Sequence, residues 1–370
     1  MDLKTMDLNI SDNHRLLFIS DIHGNVSGFK SILKKAEFTK DDYLFLIGDI
    51  IEKGNNSVLL VDYILELIEQ GYKVYGIMGN CDELLEYMIP PINKESLLNY
   101  ALTKKTILNE LAGKLNLRIT RESNLNTICW YCYRNFKKYY DYLLNLPHII
   151  NINDKITLVH GGIDDESNLP SDPNLVMKND NFYSKSDRKK RIMIVGHYPT
   201  INYHDDYPNL NPIIDLNKNI ISIDGGNVVV PWGQLNLLVI DNINDMNISY
   251  ITYDDFKEIT INDDVYGNNL KLFNMPPFDN EVDLLDENLD YFICKHKKSG
   301  TIVPILKVFV YYSEKRKTHY AYDAFNYMPN LKKGSVVKLV YYAKPYCVIK
   351  VNGVVGLIDS KYIMEESFYE

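Results

Sequence analysis

The stretch LLFISDIHG, residues 16–24, governs the reading of this chain. Its opening run is apolar and short, as a buried strand would be, and it stops abruptly at Asp21 and His23. The same grammar recurs along the chain. YLFLIG (43–48) runs into Asp49, VYGIMG (74–79) into Asn80, ITLV (156–159) into His160 and IMIVG (192–196) into His197. A single Asp behind a strand is usually a turn or cap residue, and a single His is usually a satisfied side chain. Six metal-competent residues behind five apolar strands are a different matter, because parallel strands bring their carboxyl ends to one edge of a sheet. Carboxylate, carboxamide and imidazole together form a mixed oxygen and nitrogen donor set, which suits a transition metal better than calcium or magnesium.

Around these strands, helical patterns alternate with apolar runs. SVLLVDYILELIEQ (57–70) places Val61, Ile64, Leu65 and Ile68 on one stripe, so residues 1–255 are expected to form an α/β domain with a helical insertion at about 92–145. From about 219, NIISIDGG, QLNLLVI and ISYITY read as antiparallel strands that close this domain. The acidic, proline-containing segment 256–295 reads as a linker or irregular lead-in, and 296–370 as a small all-β module. A length of 370 residues accommodates two domains. The net charge of −9 argues against a dedicated nucleic-acid binder, and no apolar run has the length of a membrane span. The N-terminal stretch lacks the apolar core of a signal peptide. Five cysteines at irregular spacing do not make a disulfide framework, so a reducing cytoplasm is the expected compartment. The abundance of Ile, Asn, Lys and Tyr with little Ala reads as the codon usage of an AT-rich bacterial genome.

Taken in order, SDIHG (20–24), GDIIEKG (48–54), GNCD (79–82), HGG (160–162) and GH (196–197) resemble the successive signatures of calcineurin-like metallophosphoesterases. The lead-in YYDYLLNLPHIININDKITLVHGGI (139–163) and the Tyr198-Pro199 pair are similar to the phosphoprotein phosphatase branch. The resemblance implies a β-sandwich flanked by helices in four layers, α/β/β/α. It also implies two divalent metal ions, manganese first, with iron, zinc or nickel as alternatives. By the same resemblance Asp21, His23 and Asp49 hold one ion, and Asp49 bridges to a second held also by Asn80, His160 and His197. Two ions roughly 3.5–4 Å apart acidify a bridging water, and the hydroxide attacks phosphorus in line without a covalent intermediate. Cys81 is then not the nucleophile.

The chain departs from the family at three positions that bear on leaving-group chemistry. Where family members carry a general-acid His, an Asp that orients it and an Arg that grips phosphate, this chain has Cys81, Glu52 and Lys53. A thiol with a pKa of about 8.5 keeps its proton at neutral pH but transfers it poorly to oxygen. Lysine cannot reproduce the two-pronged guanidinium grip. Cys81 and Glu52 as catalytic positions, with Lys53 and Asn80 contacting phosphate, therefore point to an altered leaving-group preference: activated monoesters, diesters or pyrophosphates. A packing role is the alternative for Cys81, and GNCD is also similar to the signature of small bacterial phosphodiesterases.

The expected function is two-metal hydrolysis of a phosphorylated substrate, small molecule or phosphoprotein. The alternatives are a nucleotide or dinucleoside-polyphosphate hydrolase and a non-catalytic metal-binding scaffold. GSVVKLVYYAKPYCVIKVNGVVGLIDSKYI (334–363) resembles bacterial SH3-like modules, which bind protein partners or pack on their own enzyme domain. Cys129 and Cys132, despite redox spacing, read as the core face of an aromatic helix, and Arg188, Arg191, KHKK (295–298) and KRK (315–317) as solvated charge.

Overall fold

Strand alternation positions everything else in the first part of the chain. In the computed structural model, which describes residues 2–11, 14–90, 94–268 and 270–363, eleven strands precede residue 254: β1 (Thr5–Leu8), β2 (Leu16–Ile19), β3 (Tyr43–Ile47), β4 (Lys73–Ile77), β5 (Ile149–Ile152), β6 (Ile156–Val159), β7 (Ile192–Val195), β8 (Ile213–Asp215), β9 (Ile220–Ser222), β10 (Leu235–Ile240) and β11 (Ile248–Tyr253). They form two mixed sheets, ordered β11-β10-β2-β3-β4 and β1-β5-β6-β7-β9-β8. With a period of two, successive side chains leave on opposite faces. Leu16, Phe18, Phe45 and Ile47 enter a core shared with Ile150, Ile152, Leu158 and Ile194 of the second sheet. Leu17, Ile19, Leu44 and Leu46 face the other way, onto Phe29 and Ile32 of the helix Val26–Lys35 and Val61 and Ile64 of the helix Ser57–Glu69. Both faces are buried, which is why these strands are continuous apolar runs; each such side chain contributes about 1.5–3 kcal/mol.

The far face of the second sheet is covered more thinly. Val159, Met193 and Val195 pack on Val176 and Phe182, from the one-turn helices Asn174–Met177 and Phe182–Lys185. The α/β expectation holds, with helices outside two stacked sheets. Four helices lie between 94 and 143, with Leu97, Leu108, Leu111, Ile128, Cys129 and Cys132 in the same core as β2 and β3. Burial pushes both of those thiols up, Cys129 to about 12 and Cys132 to about 11. Residues 92 and 93 of the expected insertion, and 364–370 at the C-terminus, lie outside the described residues.

One closing strand differs from the expectation. β10 is antiparallel to both β2 and β11, whereas β9 is antiparallel to β8 but runs parallel to β7. An apolar run carries no direction; the connection from 196 to 219 is long enough to return the chain for a parallel partner. Among the described residues, no helix is long and apolar enough to cross a membrane.

The contacts of the chain divide it into two units: residues up to 199 with 212–229 and 233–253, and a second containing 200–211, 230–232 and 254 onward. The second unit carries β12 (Lys257–Thr260), β13 (Glu281–Glu287), β14 (Tyr291–His296), β15 (Ile302–Leu306), β16 (Val310–Ser313), β17 (Thr318–Ala321), β18 (Val336–Tyr341), β19 (Tyr346–Val351) and β20 (Val354–Asp359). These form antiparallel sheets ordered β12-β18-β19-β20 and β15-β14-β13-β17-β16. The segment 256–295, expected as a linker or irregular lead-in, contains two strands and most of a third. Acidic residues conceal β13 in the sequence, since Asp and Glu are poor strand formers, yet Val282 is buried while residues 283–287 stay exposed.

This unit has a buried charge cluster. The Lys350 ammonium lies 2.7 Å from Asp254 Oδ2 and donates to the Trp232 carbonyl at 2.9 Å, while Lys338 takes Asp254 Oδ1 at 2.7 Å. Burial lowers Lys350 to about 8 against the pull of Asp254. Removing one partner of a buried pair leaves an uncompensated charge. Asp254→Asn should therefore destabilise the unit by roughly 3–5 kcal/mol in urea unfolding; a change within 0.5 kcal/mol would show the pair to be energetically idle.

Candidate metal centre

Asp21 lies two residues past β2, Asp49 two past β3, Asn80 three past β4, His160 directly past β6 and His197 two past β7. β2, β3 and β4 are parallel neighbours in one sheet, and β6 and β7 in the other. The loops leave the strands sharply: Asp21, His23, Asp49 and His197 have φ of 51°, 50°, 50° and 67°. The left-handed region costs an L-residue roughly 1–2 kcal/mol, and such strain persists where surrounding structure dictates it. Here the loops are laced together, His23 N–H donating to the Asp49 carbonyl at 3.0 Å and Gly24 N–H to that of Ile50 at 2.8 Å. Two glycines are required by space alone. A Cβ on Gly79 would sit 2.2 Å from Asp49 Oδ1, and one on Gly196 would sit 2.4 Å from Asp21 Oδ2.

The donor atoms form two groups that share Asp49. Asp21, Asp49 and His160 place donors within 4.8 Å of one another, as do His23, Asp49 and Cys81. His23 Nε2 is 3.8 Å from both Asp21 Oδ1 and Asp49 Oδ2. His160 Nε2 is 3.3 Å from Asp49 Oδ1 and 3.2 Å from Asn80 Oδ1. The Nδ1 atoms of these histidines face backbone carbonyls, His160 that of Ile47 at 2.8 Å and His23 that of Ile51 at 3.3 Å. Each ring is thereby oriented with Nε2 toward the carboxylates. The ring of His197 stands 5.2 Å from that of His160, but its Nε2 meets Asp180 Oδ1 at 2.9 Å. Its backbone N–H donates to Asp21 Oδ2 at 3.0 Å.

The electrostatics call for cations. Burial pushes Asp21 up to about 7 despite the pull of His160, and raises Asp224 well above the carboxylate range with Asp21 adding to the effect. Asp49 escapes this: His160 overcomes its desolvation and holds it well below that range. Burial opposes charge on His160, yet Asp49 and Asp21 push it up to about 10. Burial lowers His23, and lowers His197 to about 4 with His160 assisting. Asp21 and Asp224 are thus held toward their protonated forms by burial, and divalent ions would favour their ionised forms. The hard oxygens, the inward Nε2 atoms and the shared Asp49 fit such ions.

The remaining predicted residues lie around this cluster. Cys81 donates its backbone N–H to Asp49 Oδ1 at 2.8 Å, and burial, then Asp49, raises its thiol well above the ordinary value. Glu52 is buried and turned toward the helical insertion, its Oε1 accepting from Ile107 N–H at 2.7 Å while Oε2 has no partner among the described residues. Burial pushes its carboxyl up to about 7. Lys53 lines a neighbouring pocket. Asp82 belongs to the scaffold: its oxygens accept from the N–H groups of Ile50, Ile51 and Gly79.

Sequence reasoning missed Asp224, Asn227 and Asp180. Asp224 follows β9 by two residues, the spacing of Asp21 and Asp49, so the signal was present in NIISIDGG. Asn227 donates to the carbonyls of Asp21 at 3.2 Å and Ile22 at 2.9 Å. Asp180 sits in a polar loop that carries no local signal.

The family model described as calcineurin-like phosphoesterase matches residues 14–230. A symmetrical bis(5'-nucleosyl)-tetraphosphatase of Buchnera aphidicola is 39% identical over 66 residues, 18% of this chain and 23% of that protein. Phosphodiesterase YfcE of Escherichia coli is 30% identical over 80 residues, 20% of this chain and 44% of that protein. The chain therefore spans less than half the length of either relative. A protein serine/threonine phosphatase from Saccharomyces cerevisiae has a TM-score of 0.40 at 12% identity, covering 69% of this chain and 84% of that one.

Because His160 carries a proton up to about pH 10 in the metal-free protein, an ion that takes its Nε2 must displace that proton. Apparent manganese affinity should rise from pH 6 to pH 9, and calorimetry in buffers of different ionisation enthalpy should read net proton release. Affinity that is flat with pH and binding without proton release would remove His160 from the ligand set.

Proposed function

The chain belongs to the calcineurin-like phosphoesterase family, and on that premise we propose that it hydrolyses phosphate esters at a centre of two divalent metal ions. Asp21, His23 and Asp49 would hold one ion, and Asp49, Asn80, His160 and His197 the other. When bound, the ions supply Lewis acidity that stabilises phosphoryl charge and acidifies the attacking water. The observation that supports this reading is Asp49, one buried carboxylate whose donors lie within 4.8 Å of those of Asp21 and His160 and, in a second group, of those of His23 and Cys81.

The chain's own residues set the substrate range. Cys81 occupies the general-acid position and keeps its proton, but a half-buried thiol beside Asp49 is a poor donor to an alkoxide. Esters with good leaving groups are favoured accordingly: activated monoesters, diesters and phosphoanhydrides. The diesterase and tetraphosphatase names of the two bacterial relatives fall in that range. Lys53 offers a point charge for phosphate. The C-terminal unit, SH3-like by its sequence, would serve a protein partner.

The test is metal content together with manganese-dependent turnover of p-nitrophenyl and bis-p-nitrophenyl phosphate. Asp49→Asn should lower turnover by about 10³-fold or more. Cys81→His should raise turnover of unactivated alkyl phosphates relative to p-nitrophenyl phosphate by about 10²-fold, the scale of general-acid assistance. Protein that holds no metal and cleaves neither ester would refute the enzyme reading and favour a non-catalytic scaffold.

A further inference from the structure

Within the first unit, a pocket of about 250 Å³ is lined by Lys53, Tyr100, Lys104, Lys105, Val228 and Val229. Its walls are tied to the loops of the metal centre. Lys53 closes the loop whose Asp49 and Ile50 carbonyls accept from His23 and Gly24, and its charge acts on His23, Glu52 and Cys81. Next to the lining residue Val228, Asn227 holds the carbonyls of Asp21 and Ile22 and accepts from Asn25 Nδ2 at 2.9 Å. The next residue, Val228, has φ of 66° and is 45% exposed. A β-branched residue in the left-handed region is a genuine outlier, and such strain collects at ligand clamps. Tyr100 reaches the same place from the helix Lys94–Thr103, where its phenol is an electrostatic neighbour of Glu52, Cys81 and Asp49.

The charge of this pocket lacks a partner. Among the described residues, no carboxylate comes within ion-pairing distance of Lys53, Lys104 or Lys105. The acid on which Lys105 acts, Glu110, has both oxygens occupied by the N–H groups of Ser57 and Val58, at 3.0 and 2.9 Å. Three exposed ammonium groups without an ion pair thus line one small pocket in a chain of net charge −9. The volume falls below that of sites for whole drug-sized ligands, which suits one or two phosphates.

We propose that this pocket is a leaving-group subsite for substrates with a further phosphate beyond the scissile bond, so that the bond cleaved is a phosphoanhydride. The inference rests on the phosphoesterase reading above and narrows it. Lys53 and Tyr100 both lie in the electrostatic field of Cys81, the residue at the general-acid position. In the step, a water oxygen bonds to phosphorus and releases its proton to solvent. The anhydride P–O bond breaks, and its electron pair stays on the departing phosphate. Ammonium groups facing that phosphate stabilise its added charge without protonating it. A subsite of this kind removes the need for the missing acid.

Inorganic tripolyphosphate is the probe. Calorimetric titration of the metal-free full chain should show binding, and K104A/K105A should weaken it at least tenfold and flatten its salt dependence. In the manganese-loaded protein, the same variant should lower kcat/KM for tripolyphosphate relative to p-nitrophenyl phosphate at least tenfold. Unchanged tripolyphosphate binding, or equal losses on both substrates, would overturn the subsite. The two failures are distinguishable: lysine-dependent binding by a protein that cleaves no ester sinks the enzyme reading and with it the leaving-group role, whereas ester cleavage with lysine-independent binding sinks the subsite alone.

Discussion

A single buried carboxylate sets the constraint around which the first unit is arranged. Asp49 stands at the end of β3 with His23 on one side and His160 on the other, and it accepts from the backbone of Cys81. Burying a carboxylate is costly unless it is paired and hydrogen-bonded. Its surroundings supply both, and they do so with loops from different strands. The glycine at 79 is the space Asp49 needs, and the left-handed turns at 21, 23 and 49 keep the loops short enough to converge.

The strain in those turns is offset by the sandwich beneath them. β2 and β3 are buried on both faces, one row of side chains against the second sheet and the other against helices. A layer packed on both sides resists sliding, because a one-residue slip would exchange the two rows. Rigid strands can thus hold their carboxyl ends in register while the loops beyond them adopt unfavourable backbone angles. Asn227 and Asp82 add hydrogen bonds that hold the same loops from outside the donor set.

The three positions that depart from the family pattern face different surroundings. Glu52 reaches back to the start of the helix Ile107–Lys114, and Glu110 of that helix holds the start of the helix Ser57–Glu69. The helical insertion is therefore tied to the loop after β3 through the carboxylates of Glu52 and Glu110. That link brings Tyr100 beside Glu52, and with it the lysines at 104 and 105 that share the pocket of Lys53.

Much of this was legible in the chain itself. Apolar runs broken by Asp, Asn or His named the strands and five of the residues that converge, because burial on both faces demands such runs and parallel strands align their ends. Asp224 has the same signature behind β9, whose parallel pairing with β7 an apolar run does not announce; direction is a property of the connection, not of the run. Strand β13 was hidden by its acids, whose exposure is decided only when neighbouring strands pair with it. The ring of His197 was placed beside that of His160 as its position suggested, but its contact with Asp180 depends on a loop with no local pattern. Sequence alone determined which residue types would stand at the ends of which strands, since spacing and burial act within a few residues. Tertiary structure alone decided which donors share Asp49, where Glu52 points and which lysines face one pocket, because those depend on contacts between residues tens to hundreds of positions apart.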